Sequence, residues 1–362
     1  MPVIVISGKP ACGSSTTAKM LAKKLGLAFF SLGTYTKSDA AKFVKRMEET
    51  ERSAKFWNYR SYNNLKAQKK YDNIQIRLAK RGNIVIEAKL GVHMLGNLAD
   101  LRIWLTAPFG IRAGRVAERD DIDLREAWKV LREKETLERK NWKNIYGFDY
   151  FQQQGSADIV IDTSDKTPEQ IVDLIVSKIR RVFVVHRWYG TPGADWYPSA
   201  KQEMEKKGFL VNVLRMPHPS RPKLDEWLPH LAESIGNPNE NTFLVGHSAG
   251  VATILSYLEK LKPGEKIGGC VLVAGWLDDL GYKQLSSFVN KPFNWAKIRE
   301  HCKKFVTIDS DNDPYVKPYH GRGFQKKLKA KLITEHKKGH LDDDSKIKKL
   351  PSVVKSVESM AK

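Results

Sequence analysis

Ser248 has the setting of a nucleophile. It is the middle of Gly246-x-Ser248-x-Gly250 in "FLVGHSAG", residues 243–250. The apolar run before it reads as a strand, and "VATILSYLEKL" after it reads as a helix. That context places the hydroxyl on a tight strand-to-helix turn, with helix N–H groups aimed at a developing oxyanion. A serine needs a base, and the base needs a carboxylate to orient it. The chain order Ser, Asp, His selects Asp313 from "FVTIDSDNDPYV", in the loop ahead of a Pro-started helix, over Asp309 and Asp311. It selects His340 in "KKGHLDDD" over His301, His320 and His336. His320 falls in an expected helix, and His336 closes the last expected strand. "VFVVHRWYGTPGADWYP" at 182–198 also leaves a strand. Its N–H groups near Arg187 and Trp188 would share the oxyanion with that of Ala249. Trp188 and Trp196 fit either a pocket wall or the core.

A second chemical stretch opens the chain. "ISGKPACGSSTTAKMLAKKLG", residues 6–26, runs from a strand through Gly8-x-x-x-x-Gly13 into a helix. In a phosphate-binding loop the backbone N–H groups and the helix N-terminus face the phosphates, a lysine adds charge near the β/γ oxygens, and the next Ser/Thr holds Mg²⁺. Gly8 and Gly13 keep the turns and Ser15 keeps the metal position, but Ser14 stands where lysine is expected. Lys9 is a candidate source of the missing charge. In "VLREKETLERKNWKNIYGFD" at 130–149, Arg132 and Arg139 lie seven apart on one helix face. They are placed to clamp a transferring phosphoryl group or to pair with Glu133, Glu135 and Glu138 on a solvated face.

Around these motifs strands and helices alternate. Strands are expected at 2–7, 27–31, 83–87, 101–106, 158–162, 182–186, 209–214, 242–246, 267–274, 304–309 and 331–335. Helices are expected at 14–25, 35–49, 64–81, 109–119, 123–145, 167–180, 195–207, 224–235, 249–261 and 346–360. Such alternation predicts an α/β class with two doubly wound parallel-sheet domains, at 1–180 and 182–362, meeting at Arg180-Arg181. The 362 residues and 41% hydrophobic content suffice for two cores.

The net charge of +21 raises nucleic-acid binding. Its lysine clusters at 66–70, 326–331 and 346–349 are scattered, without interleaved aromatics, so no nucleic-acid partner is expected. No apolar run of membrane length occurs, and the start, Pro2–Ile6, is too short for a signal-peptide core. Three separated cysteines, Cys12, Cys270 and Cys302, predict reduced thiols and a cytoplasmic location.

Residues 2–180 resemble the cytidylate kinases of archaeal type, on the loop, Ser31-x-Gly33, "VIEAKL", the Arg132…Arg139 helix with "IYGFD", and "ADIVIDTS". The resemblance implies a phosphate-loop kinase that takes ATP and Mg²⁺ and phosphorylates a nucleoside monophosphate, CMP or dCMP first. It implies that Gly8, Lys9, Pro10, Ala11, Cys12, Gly13, Ser14, Ser15 and Thr16 bind ATP, and that Arg132 and Arg139 belong to a lid. Ser31, Gly33, Lys37, Lys89 and the 64–78 helix would face the acceptor. Lys37 and Lys89 stand where arginines are expected, which keeps charge but loses the bidentate fork. Residues 182–360 resemble the small serine hydrolases of the retinoblastoma-binding-protein-9 and YdeN type, on "HRWYGTPGADWYP", "MPHPSRPKLDEWLPHL", "GHSAG", "LVAGW", "DNDPYV" and "GHLDDD". That resemblance implies an α/β-hydrolase fold and a small ester or amide substrate. The expected protein is a two-activity fusion; the competing expectation is a kinase-dead ATP-binding module that regulates an active hydrolase.

Overall fold

The computed structural model describes residues 2–41 and 65–362, which divide into two compact units, Met1–Val176 and Ser177–Lys362. In the first unit, β1 (Val3–Gly8), β2 (Ala28–Ser31), β3 (Ile84–Glu87), β4 (Leu101–Thr106) and β5 (Ile159–Asp162) form a sheet in the order β2-β3-β1-β4-β5. Every pairing is parallel. β1 and β3 are buried along their whole length, as their near-continuous Val/Ile runs require of strands covered on both faces.

In the second unit, β6 (Arg181–Val185), β7 (Leu210–Val213), β8 (Thr242–His247), β9 (Gly269–Val273), β10 (Phe305–Ser310) and β11 (Lys331–Glu335) are ordered β11-β10-β9-β8-β6-β7, again all parallel. Alternation along the strands divides the core. Leu244 and Leu272 pack on one face with Trp227, Val251 and Phe324. Val245 and Val271 pack on the other with Trp196, Met204 and Val357. Trp196 is fully buried there, so it is core and not pocket wall.

The eleven expected strands are all present, with ends shifted by two residues at most. Two helices differ. The last begins at Pro351 instead of 346, because proline at the first helical turn needs no N–H partner and already has the helical φ. The helix expected at 35–49 is described only as Leu32–Ala41; its remainder, like residue 64 of the next helix, lies outside the described residues. Short helices at Gly91–Leu95 and Trp295–His301 and a 3₁₀ segment at Tyr150–Ser156 carry too few residues to show a helical period.

Close approach, more than backbone freedom, explains the motif glycines of the second unit. A Cβ on Gly250 would lie 2.2 Å from the carbonyl oxygen of Val185, and one on Gly246 would lie 2.8 Å from Gly250. The helix after Ser248 thus presses directly on β6. Gly250→Ala is expected to destabilise this unit by about 2 kcal/mol or more, as overpacking against backbone does. Thermal unfolding of the full chain checks it through a lowered transition in the variant.

Candidate active sites

In the first unit the loop from Lys9 to Gly13 joins the central strand β1 to the Ser14–Leu25 helix. Gly13 caps that helix at φ 82°, open to solvent, with no atom within 4 Å of an added Cβ. Gly8 is glycine for another reason: its Cβ would sit 2.6 Å from the oxygen of Leu105 on β4. The loop is also held from outside. Arg112, nearly fully buried, donates to Pro10 O (3.2 Å) and Ala107 O (2.9 Å) and pairs with Glu135. Arg115 donates to Thr163 Oγ1 (2.9 Å) and Ala11 O (3.5 Å). Cys12 is buried among these bonds, and burial pushes its thiol up. Ser15 and Thr16 are exposed on the first turn.

One buried carboxylate collects the hydroxyls around this loop. Ser14 Oγ donates to Glu87 Oε1 (3.2 Å), and Ser31 Oγ donates to Glu87 Oε2 (2.6 Å). Ser31 Oγ also accepts from the Thr34 N–H (3.1 Å), which starts the Leu32–Ala41 helix. A Cβ on Gly33 would lie 3.8 Å from Glu87 Oε2, so Ser31 and Gly33 share one corner. The side chain of Lys37 lies outside the described residues. Lys89 reaches the loop, with Nζ 3.4 Å from Gly8 O and 3.7 Å from Glu138 Oε2. Lys9 and Arg139 lie over the Phe151 ring at 5.3 and 5.0 Å, and Arg132 lies over Phe109 at 5.8 Å. Arg139 pairs with Asp149, not with the helix glutamates: Glu135 serves Arg112, and Glu138 accepts from Tyr150 OH (2.9 Å).

In the second unit, Ser248 heads the Ala249–Lys260 helix at φ 53°, ψ −113°, the strained turn the motif predicts. Asp313 Oδ2 lies 2.8 Å from His340 Nδ1, so the structure joins these two and leaves His340 Nε2 for a serine proton. Asp313 Oδ1 accepts from the N–H groups of Tyr315 (2.8 Å) and Val316 (2.9 Å), which fix the carboxylate. Ser248 Oγ accepts from the Trp276 indole N–H at 3.4 Å. Arg187 N–H is engaged by Tyr197 OH (3.2 Å), whereas among the described residues no backbone acceptor holds the N–H of Trp188 or Ala249. The rival residues lie elsewhere. His336 pairs with Asp311 at the surface, His301 Nδ1 meets Glu265 O (2.7 Å), and His320 Nδ1 accepts from Leu277 N (3.2 Å).

A buried relay ties the two loops that flank Ser248. Arg187 N–H donates to Tyr197 OH, which donates to His247 Nδ1 (2.7 Å), and His247 Nε2–H donates to the carbonyl of His340 (3.0 Å). Burial, then the neighbouring His340, lowers His247 to about 3, so it stays neutral in this role. The Arg187 guanidinium grips Asp195 with two bonds (3.0 and 3.1 Å), and Asp195 accepts from Asp343 N–H (2.8 Å) beyond His340. Sequence reasoning missed Glu87 as a ligand of the loop, Arg112, Arg115, Phe151, Trp276, Tyr197 and Asp195. The signals available for them were the place of Glu87 at the end of a buried apolar run and the one-turn spacing of Arg112 and Arg115.

Asp309 is a buried carboxyl outside this network, with Oδ2 unpaired. Burial, and then the charge of Asp313, pushes it up to about 7. The folded chain therefore holds a proton that the unfolded chain releases near pH 4, and stability falls as pH rises from there to about 7. Asp309→Asn is expected to gain stability over the wild type at pH 8, on the order of a few kcal/mol, and little at pH 4. Thermal unfolding of both proteins at the two pH values checks it; contributions such as that of His247 are common to both and cancel.

Two family profiles match the chain, one described as a cytidylate kinase-like family over residues 3–165 and one as serine hydrolase over 182–359. The cytidylate kinase of Ignicoccus hospitalis is 37% identical over 175 residues, covering 48% of this chain and 97% of that protein. The protein named "Putative hydrolase YdeN" of Bacillus subtilis is 31% identical over 175 residues, covering 48% of this chain and 92% of that protein. The crystal structure of the B. subtilis ydeN product has 30% identity and a TM-score of 0.49, over 50% of this chain and 98% of that one. The chain belongs to both families: it is a fusion of a cytidylate kinase-like half and a serine hydrolase half.

Proposed function

We propose that this fusion carries two working catalytic centres: an ATP-dependent nucleoside-monophosphate kinase in residues 1–180 and a serine hydrolase of small esters or amides in residues 182–362. The observation that carries the hydrolase is the Asp313–His340 bond, together with Ser248 held at φ 53° directly after His247, whose ring bonds the His340 carbonyl. Ser248 Oγ attacks the substrate carbonyl carbon and its proton passes to His340 Nε2. The carbonyl π pair moves to oxygen, where the N–H groups of Trp188 and Ala249 stabilise it. His340 then protonates the leaving alcohol or amine, and water releases the acyl group by the same steps.

The kinase reading is carried by the Gly13-capped loop with Glu87 behind it. An oxygen of the acceptor's phosphate forms a bond to the γ-phosphorus of ATP as the bond from that phosphorus to the β–γ bridging oxygen breaks, and ADP leaves with the electron pair. Ser15 on the first helical turn and the Glu87 carboxylate are hard oxygen donors that fit Mg²⁺, whose remaining ligands would be phosphate oxygens and water. Bound there, Mg²⁺ would neutralise charge on the β- and γ-phosphates. CMP or dCMP is the acceptor this reading favours, supported by the cytidylate kinases the first half resembles.

Ser248 should be labelled by a fluorophosphonate probe and should turn over p-nitrophenyl acetate. Ser248→Ala should lose both, and Asp313→Asn should slow acylation about 10³–10⁴-fold. Absence of labelling in the wild type, or labelling that survives Ser248→Ala, would reject the triad.

For the other half, incubation with ATP-Mg²⁺ and each nucleoside monophosphate should yield the diphosphate of CMP or dCMP preferentially. Gly13→Val should abolish nucleotide binding, because a β-branched residue resists φ 82° and would reshape the loop. ATP binding without turnover of any acceptor would leave the regulatory reading in its place.

A further inference from the structure

The phosphate loop lacks its lysine, and Ser14 does not replace the charge. Its hydroxyl is turned toward Glu87. We infer that Lys89, two residues beyond the end of β3, supplies the positive charge to the β/γ-phosphates of ATP. This rests on the kinase reading above and gives a donor-side role to a residue that the family resemblance would place at the acceptor.

Four observations converge on it. The Lys89 ammonium lies 3.4 Å from the carbonyl oxygen of Gly8, the first residue of the loop motif, so it stands at the rim of the cradle itself. Its second partner is Glu138 at 3.7 Å, a carboxylate already occupied by Tyr150 OH. An ammonium has three donors, so one is left for a phosphate oxygen. The Lys89 side chain is 29% exposed, half-sheltered yet open to an incoming anion. Its backbone is pinned, since Gln153 Nε2 donates to the Lys89 carbonyl (3.0 Å) while Gln153 Oε1 accepts from His93 N–H (3.0 Å).

The rival within the loop is Lys9. Its ammonium rests over the Phe151 ring, 5.3 Å from the centroid, and that ring also carries Arg139. Both ammoniums lie over rings of the Tyr150–Ser156 segment, Lys89 over Tyr150 at 5.8 Å, and Lys89 also meets Glu138 of the lid helix; what sets Lys89 apart is its bond to the carbonyl of Gly8 in the loop backbone. Glu87 and Lys89, two apart along the chain, divide the work of an ordinary loop lysine's surroundings: the acid takes the hydroxyl at 14, and the ammonium takes the loop carbonyl.

The test titrates the full chain with ATP, ADP and AMP in Mg²⁺ by calorimetry, and needs no turnover. The wild type should bind ATP more tightly than AMP. Lys89→Met should lose that preference by about tenfold or more while AMP affinity holds, and Lys89→Arg should retain part of it. Adding Ser14→Lys to Lys89→Met should restore the preference, because it returns an ammonium to the same cradle.

In turnover, Lys89→Met should lower kcat by roughly 10²-fold with the acceptor KM unchanged. Three results would overturn the inference alone: an unchanged ATP-over-AMP preference in Lys89→Met, a raised acceptor KM with kcat intact, or no restoration by Ser14→Lys. A wild type that binds no ATP would overturn the kinase reading with it. AMP affinity at the wild-type value, together with an unchanged far-UV circular dichroism spectrum of the full chain, marks each variant as folded.

Discussion

Within each sheet every strand runs parallel to its neighbours, and the arrangement of the polar residues depends on that constraint. A parallel sheet needs a crossover after each strand, so all the turns that leave the strands' C-terminal ends gather on one edge. In the first unit that edge holds the loop after β1, Ser31 at the end of β2, Glu87 at the end of β3, Lys89 just beyond it, and Thr163 after β5. In the second it holds Arg187 after β6, Ser248 after β8, Trp276 after β9, Asp313 after β10 and His340 after β11. Residues up to about 160 positions apart in the chain, such as Arg187 and Asp342, come within ion-pair distance for that reason alone.

What the sheets bring near, buried polar bonds hold in place. In the serine hydrolase half, the Arg187–Asp195 pair and the Tyr197–His247 relay tie the loop after β6 to the His340 loop. A buried ion pair of this kind is weak evidence of net stability, because desolvation opposes the attraction. Breaking one partner leaves a buried charge, however, so the arrangement admits few others. In the kinase-like half, Glu87 does the same with neutral donors. It fixes a hydroxyl of the phosphate loop and one from the end of β2 on a single carboxylate.

The sequence carried the fold well because parallel strands buried on both faces are short continuous apolar runs, and the long helices keep a 3.6-residue period. It also carried the order of Ser248, Asp313 and His340, since that order follows from which strand each residue leaves. Partners across the sheet were not legible. Arg139 sits among Glu133, Glu135 and Glu138 in the sequence, yet it pairs with Asp149, because Glu135 and Glu138 face inward to Arg112 and Tyr150. The direction of Lys89 was hidden for a related reason. Its neighbours Gly8 and Glu138 lie 81 residues before it and 49 residues after it, and no local spacing encodes them. Asp309 shows the reverse case: it shares a strand end with the residues considered for the triad, but its Oδ2 points into the packing beside Gly321.

The central claim is that these parallel edges assemble working chemistry, and the hydrolase edge tests it most directly. Brief exposure of the full chain to p-nitrophenyl acetate, an acid quench and peptide mass mapping would locate the acyl group. The account predicts a single acetyl on the peptide carrying Ser248, lost when His340 is replaced. An unacylated Ser248, with acetyl found only on surface lysines or on another serine, would contradict it.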